Sequence, residues 1–237
     1  MTSPLRISFS LVLLAAAAWG ANVTGSVELA DSRESSVRKK RNFSGVALWL
    51  EPLASSPSLP ASTLTITQKD KKFSPHVSIA PTGVTVDFPN FDPIFHNAFS
   101  NFAGQPFDTG LYPPGSTRKV RFARPGVVRV FCNIHSTMSA VIVVVNTPHM
   151  AMTSASGAFS IANVPPGEYT LKVWHERATE ATLNRLTRRV TVTAAGLSLG
   201  TITISESGYL PVPHTNKHGH DYPPEPTGPG AYSGARK

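Results

Sequence analysis

The sequence predicts an all-β protein built from two β-sandwiches. Val, Thr and Ile alternate with polar residues in short runs, which is the pattern of strands with one buried face. The 21 Pro and 17 Gly residues interrupt these runs and supply turns. No long stretch repeats its apolar residues with the helical period. A chain of 237 residues is long enough for one large domain or two small ones with cores of their own.

The N-terminus has the composition of an export signal. Arg6 precedes an apolar run over residues 7–19, and Ala18 and Gly20 are the small residues that a cleavage site needs. We therefore predict a signal peptide over residues 1–20 and a periplasmic or secreted product. No other apolar run approaches the length of a membrane-spanning helix, so no transmembrane segment is expected.

Two strands are predicted at the start of the mature chain, over residues 23–29 and 44–50, and the basic cluster at 38–41 is interpreted as a solvated loop. The middle of the chain then predicts four more strands, over residues 84–88, 116–122, 127–132 and 140–145. The last of these is almost wholly apolar, which predicts a strand buried on both sides.

The only cysteine of the chain begins a C-x2-H-x2-M motif formed by Cys132, His135 and Met138. Thiolate, imidazole and thioether are three of the four ligands of a mononuclear copper centre that transfers electrons, and the fourth is a second histidine. His96, on a neighbouring predicted strand, can face Cys132 and is the candidate. The alternative is that Cys132 is a small buried apolar residue. One cysteine excludes an internal disulfide and a C-x-x-C-H haem attachment.

Residues 62–145 resemble the cupredoxins, the family of plastocyanin and amicyanin. The resemblance rests on V-T-V-D-F-P-N-F-D at 84–92, followed by His96 and Asn97, and on P-G-V-V-R-V-F-C-N-I-H-S-T-M at 125–138. It implies a Greek-key β-sandwich in which the residue after the first histidine, Asn97, helps to hold the ligand loop.

The resemblance also implies one type 1 copper ion with four protein ligands, which are His96, Cys132, His135 and Met138. The spacing of the last two is the short one of amicyanin, although Ser136 and Thr137 replace the usual Pro-Phe. By the same resemblance, the His135 imidazole lies at the surface as the electron port. The candidate residues of an apolar rim around it are Pro93, Ile94, Phe95 and Ile134.

A second resemblance involves residues 156–174, S-G-A-F-S-I-A-N-V-P-P-G-E-Y-T-L-K-V-W, which are similar to the carboxypeptidase regulatory-like sandwich. This transthyretin-like domain has no activity of its own. Its opening strands fit residues 22–61 and its remaining strands fit residues 146–206. We therefore predict that the copper domain, residues 62–145, is inserted into or fused with this sandwich. Bacterial proteins called methylamine utilization proteins resemble the whole arrangement.

Further residues of metal-binding type lie outside the motif. His149, Met150 and Met152 resemble a Cu(I) cluster, and the alternative is a strand start with incidental sulfur. The tail, residues 207–237, is rich in Pro and Gly and is predicted to be disordered. Its histidines, at positions 214, 218 and 220, are expected to bind metal weakly or not at all.

The net charge of +8 favours acidic partners without indicating nucleic acid. The two strands that lead to the ligand loop carry a basic set, Arg118, Lys119, Arg121, Arg124 and Arg129. Four protein ligands leave no open coordination position, so no catalytic residues are predicted. The predicted function is that of a periplasmic carrier of single electrons with an acidic redox partner. The alternatives are copper acquisition, storage or delivery, and a structural or sugar-binding sandwich.

Overall fold

The structure, a computed structural model, describes residues 20–54, 58–101, 104–211 and 213–222. Residues 1–19 of the predicted signal peptide lie outside the described residues. Among the described residues, no helix is long and apolar enough to span a membrane. The described elements are β1 (Ala21–Ala30), α1 (Ser35–Lys40), β2 (Val46–Pro52), β3 (Thr63–Thr65), β4 (Thr67–Lys69), β5 (Lys72–Ser74), β6 (Val77–Pro81), β7 (Thr85–Pro89), β8 (Phe99–Ser100), β9 (Phe107–Asp108), β10 (Thr117–Arg121), β11 (Gly126–Phe131), β12 (Ser139–Val145), β13 (Met150–Met152), β14 (Ala158–Val164), β15 (Gly167–His175), α2 (Glu180–Leu186), β16 (Arg188–Val192) and β17 (Leu197–Ser205).

The strands form two groups, and the fold is an all-β arrangement of sandwiches, as predicted. One group, which we call the split half, has the sheets β14-β1-β17 and β13-β2-β15-β16. The other, the ligand half, has the sheets β6-β12-β11-β8-β9 and β10-β7-β3 and the hairpin β4-β5. The chain leaves the split half at the end of β2 and returns in β13 directly beside it, where Met150 pairs with Trp49. That these halves are separable domains with the predicted boundaries stays a prediction.

Three apolar layers lie between the four large sheets. Within the split half, Val23, Val27 and Ile202 of one sheet pack with Leu48 and Leu171 of the other. Within the ligand half, Val86 and Phe88 pack with Val130, Ala140 and Ile142. The third layer joins the halves and contains Ala47, Trp49, Val141, Val143 and Trp174. The halves are therefore held together by buried apolar surface.

Strand β12 shows how one short sequence serves two layers. Because side chains alternate across a strand, its residues 140, 142 and 144 face the core of the ligand half, while residues 141, 143 and 145 face the layer between the halves. All six are buried, which confirms the prediction of a strand buried on both sides. The alternation also places Val128, Val130 and Cys132 on one inward face.

The basic cluster at residues 38–41 is not wholly a loop, as the sequence predicted, because Ser35–Lys40 forms a helix. Val37 is buried in the core of the split half, and this contact fixes one face of the helix while the charged side chains point outward. Arg41 ends the helix in a left-handed conformation, with φ of 47°. Its guanidinium pairs with Glu28 at 3.0 Å.

Glu176, just after β15, links the two halves by polar contacts. Its carboxylate accepts from His76 Nε2 at 2.7 Å and lies 3.3 Å from Arg129 Nη1. The other nitrogen of His76 contacts the Ser139 carbonyl oxygen at 3.0 Å. Burial raises the pKa of Glu176, but the hydrogen bond from His76 and the nearby cations outweigh it and lower that pKa below its usual value. The ionised carboxylate therefore joins strands of both halves.

A buried carboxylate, Glu206, follows the last strand of the split half. It accepts hydrogen bonds from His175 Nε2 at 2.9 Å, Arg177 Nε at 3.0 Å and Ser32 Oγ at 2.6 Å. Burial raises the pKa of Glu206, but these donors outweigh it and lower that pKa to about 2. Glu206 therefore ties the end of β17 to two other segments of the split half in its ionised form.

Candidate metal centre

His96 is held by backbone and loop contacts before any metal is considered. It exchanges backbone hydrogen bonds with Tyr112, at 3.3 and 2.9 Å, and its side chain is fully buried. The loop before it is braced by Asn90, whose Oδ1 accepts from the Asp92 N–H at 3.0 Å and whose Nδ2 donates to the Ile94 carbonyl at 2.8 Å. The loop therefore fixes the backbone that carries His96.

Asp92 orients the His96 ring. Its Oδ2 lies 2.7 Å from His96 Nε2, and the carboxylate also accepts from the backbone N–H groups of Asp70, at 2.6 Å, and Lys71, at 2.9 Å. Burial raises the pKa of Asp92, but these hydrogen bonds outweigh it and lower that pKa below its usual value. An ionised Asp92 keeps the proton of the neutral ring on Nε2, so that Nδ1 has a free lone pair for a metal.

The other three predicted ligands, Cys132, His135 and Met138, lie on a short closed loop after β11. The Cys132 N–H donates to the Met138 carbonyl at 3.2 Å, and the Met138 N–H donates to the His135 carbonyl at 3.1 Å. Asn97 Oδ1 accepts from the Asn133 N–H at 2.7 Å. The contact that the resemblance implied for Asn97 is therefore present, and it ties the Cys132 loop to the His96 segment.

Three of the predicted ligands converge on one point. His96 Nδ1 lies 3.8 Å from Cys132 Sγ and His135 Nδ1 lies 3.9 Å from it, and all three side chains are fully buried. A metal about 2.3 Å from sulfur and about 2.0 Å from nitrogen, with an angle near 120°, separates the two ligand atoms by about 3.7 Å. The site therefore fits one metal ion in a trigonal His2Cys arrangement. Among the described residues this is the only group of three His, Cys, Asp or Glu side chains that could hold an ion.

The electrostatics of the site favour the thiolate. Burial raises the pKa of Cys132, but hydrogen bonds from His135, from His96 and from the backbone N–H groups of Asn97 and Ile134 outweigh it and lower that pKa to about 5. Burial lowers the pKa of His96, but its contacts with Cys132 and Asp92 outweigh it and raise that pKa. Because the thiolate is the metal-binding form, the site is prepared for a soft cation.

Met138 is fully buried in the same core as Cys132. Its backbone closes the ligand loop, which places this residue at the site, and its role as the axial ligand stays a prediction. The expectation of a surface-exposed His135 is wrong, since its side chain is 0% exposed. Of the predicted rim residues, Pro93 and Phe95 are exposed, while Ile94 and Ile134 are half-buried.

The tail also differs from its prediction. Residues 213–222 are not free of the folded chain, because they contact the ligand loop through aromatic and polar side chains. Residues 223–237 lie outside the described part. The suggested cluster of His149, Met150 and Met152 does not form, because the two methionines pack between the halves while the His149 ring meets Tyr169 edge-on at 5.9 Å.

Asp92 was not predicted from the sequence to contact the site. The signal was present in the spacing D-x-x-x-H, but only the folded loop shows that the carboxylate reaches the histidine. Tyr222 was not predicted to contact the ligand loop, and His214 was considered only as a weak metal ligand of the tail.

Comparisons with known proteins give partial matches. The family profile described as "Polysaccharide lyase family 4, domain II" matches residues 149–198. No curated protein matches the chain. A copper-containing nitrite reductase from Thermus scotoductus SA-01 matches at 27% identity, over 40% of this chain and 25% of its own, with a TM-score of 0.33.

Two smaller proteins match over nearly their whole length. A purple cupredoxin from Nitrosopumilus maritimus shares 23% identity over 35% of this chain and 99% of its own, with a TM-score of 0.32. A variant of amicyanin shares 14% identity over 43% of this chain and 99% of its own, with a TM-score of 0.34. The chemistry of the site rests on its own residues.

Proposed function

We propose that the chain binds one copper ion through His96, Cys132 and His135, with Met138 as the axial ligand, and that it carries single electrons between redox partners. The observation that carries the proposal is the convergence of two imidazole Nδ1 atoms on one buried sulfur, at 3.8 and 3.9 Å. Nitrogen and thiolate donors in this arrangement are typical of copper centres that transfer electrons. When bound, copper supplies the Cu(I)/Cu(II) couple.

The protein's part is to hold the ligands in one geometry. His96 is fixed by Asp92 and Tyr112, and the Cys132 loop is fixed by Asn97, so neither ring needs to move when the charge of the site changes. Complete burial of Cys132 and His135 limits the access of water. With four protein ligands and no open position, the site suits an electron carrier, and we propose no enzymatic activity.

The cell compartment and the partner are part of the same proposal. The N-terminal sequence supports export to the periplasm. An acidic redox partner would meet a basic surface. Lys119 pairs with Asp87 and Arg129 with Glu176, which leaves Arg118, Arg121 and Arg124 as the better candidates for steering. Electron-transfer rates should then fall as ionic strength rises. We infer that the split half is a binding or spacer sandwich of the regulatory-like class, in the arrangement that resembles methylamine utilization proteins.

Copper storage or delivery is the second candidate, favoured by the complete burial of His135, which leaves no imidazole edge at the surface. A reversible reduction potential with fast self-exchange supports the carrier. Rapid transfer of copper to a metal-free acceptor, without reversible electrochemistry, supports delivery.

The direct test is the visible spectrum of the protein loaded with Cu(II). Cys132→Ser should abolish the intense charge-transfer absorption and leave the far-ultraviolet circular dichroism of the strands unchanged. The matched control is His149→Gln, which replaces a buried histidine outside the centre and should keep the spectrum. A coloured Cys132→Ser protein, or a wild type that takes up no copper, would exclude the proposal.

A further inference from the structure

The segment of residues 213–222, which we call the strap, lies across the ligand loop. The His214 ring stacks on Phe131, with centroids 3.9 Å apart and planes 22° apart, and its Nε2 donates to the Ser136 carbonyl at 2.8 Å. At the other end of the strap, the Tyr222 hydroxyl donates to the carbonyl of Cys132 at 2.8 Å. The strap therefore contacts residues on both sides of the metal-binding cysteine.

Contacts in the middle of the strap complete the cover. The Lys217 N–H donates to Asn133 Oδ1 at 3.0 Å, and its ammonium pairs with Asp108 at 2.6 Å. Asn133 and Ser136 flank His135 in the sequence, and both receive hydrogen bonds from the strap. Together these contacts cover the part of the ligand loop in which the sequence predicted an exposed His135 imidazole.

The strap has a folded turn of its own. Asn216 Oδ1 accepts from the N–H groups of His218, at 2.9 Å, and His220, at 3.1 Å, and the Asn216 N–H donates to the His220 carbonyl at 2.9 Å. Gly219 takes φ of 80°, which favours glycine. This turn presents the Lys217 N–H to Asn133, so the contact uses a preformed shape.

The strap is nevertheless attached more weakly than the rest of the fold. It belongs to no sheet, and its attachments are a stacked ring, a few hydrogen bonds and one ion pair at half-buried or exposed positions. Segments with few buried apolar contacts open at a lower free energy than core strands. Because neither apolar core includes the strap, it can detach while both halves stay folded.

We propose that the strap is a built-in cover of the metal centre, closed in the resting protein and released to admit a redox partner or a copper-exchanging partner to the ligand loop. The role of the release rests on the proposed function, whereas the closed contact can be tested without metal. In the closed state, the strap limits access to Cys132 and His135. In the open state, the loop around His135 becomes the outer surface.

The test is the rate at which iodoacetamide modifies Cys132 in the metal-free full-length protein. His214→Ala removes the stacked ring and its hydrogen bond, and His220→Ala is the matched control on the same strap, since that side chain is exposed. A chain that ends at Tyr209 removes the strap, and a chain that ends at Tyr222 keeps it. Modification should be about 5- to 30-fold faster in His214→Ala, as expected when one or two attachments are lost. The chain ending at Tyr209 loses every attachment of the strap and should react at least as fast.

His220→Ala and the chain ending at Tyr222 should react at the wild-type rate. Equal rates in all five proteins would overturn the proposal. If the protein bound no copper while the rates still differed, the proposed function would fail and the cover would stand. In copper-loaded protein, the variants that lose the cover should also release copper faster to a chelator, while their folded cores show the wild-type urea midpoint.

Discussion

Replacing Asp92 by Asn tests whether the carboxylate sets the state of His96. The substitution keeps the shape of the side chain but changes one acceptor oxygen into an NH2 donor. If the NH2 group occupies the Oδ2 position, it faces the Lys71 N–H and His96 Nε2. His96 Nε2 must then lose its proton in order to accept a hydrogen bond from the NH2 group. If it occupies the Oδ1 position instead, it faces the Asp70 N–H and that hydrogen bond is lost. Either orientation removes one of the two backbone hydrogen bonds that the carboxylate accepts in the wild type.

The size of the effect follows from these contacts. In the first orientation the ring proton moves to Nδ1, the atom that points at Cys132 Sγ, and the metal must displace it. Loss of an outer partner of a metal-bound histidine costs about 10- to 100-fold in metal affinity, or about 1.4 to 2.8 kcal/mol. That range agrees with a charge-assisted hydrogen bond, which contributes about 1.5 to 3 kcal/mol. Loss of a buried negative charge beside the site should also raise the reduction potential, because it disfavours Cu(II) more than Cu(I).

The assay is competition for Cu(II) against a chelator of known affinity, together with the reduction potential from a redox titration. Asp87→Asn is the matched control, because this carboxylate lies in the same half but pairs with Lys119. Urea unfolding of the metal-free proteins separates a loss of affinity from a loss of stability. Wild-type affinity and potential in Asp92→Asn would refute the role assigned to the carboxylate.

Three further predictions concern the axial ligand, acid stability and organisation. Met138→Leu should keep copper and colour but raise the reduction potential measured by redox titration, because loss of a neutral donor disfavours Cu(II). An unchanged potential would show that Met138 only packs in the core and is not a ligand. Glu206 has a pKa lowered from 4.5 to about 2, so its contribution, at most about 3 kcal/mol, is present above pH 4.5 and is lost as pH falls towards 2. Urea titrations over that range should show a steeper loss for wild type than for Glu206→Gln, and parallel curves would contradict this. Replacing residues 62–145 by a short Gly/Ser linker should leave a sandwich that unfolds cooperatively. This sandwich should self-associate in gel filtration, because Trp49 and Trp174 are no longer covered by the ligand half. A molten product would show that the split half needs the ligand half to fold.

The sequence by itself determined the strand class and indicated the four candidate ligand residues. Alternation in residues 84–88 and the wholly apolar run at 140–145 are local patterns, and each is visible without the fold. The C-x2-H-x2-M spacing placed three donors of suitable softness on one loop. The remaining candidate ligand, His96, followed from its position on a neighbouring predicted strand. These features are readable because periodicity and spacing are properties of nearby residues.

Only the tertiary structure decided how the site is finished. The contact of Asp92 with His96 depends on the curvature of a loop braced by Asn90, and four residues of spacing alone do not fix it. His135 is buried, although the sequence predicted it at the surface. Tyr222 contacts Cys132 across 90 residues of sequence, and no motif around Tyr222 predicts that contact. Ser35–Lys40 forms a helix that overlaps the basic cluster predicted to be a solvated loop, because the Val37 side chain packs in the core of the split half. For Tyr222 and Val37 the deciding free energy comes from a long-range contact, which local composition does not encode.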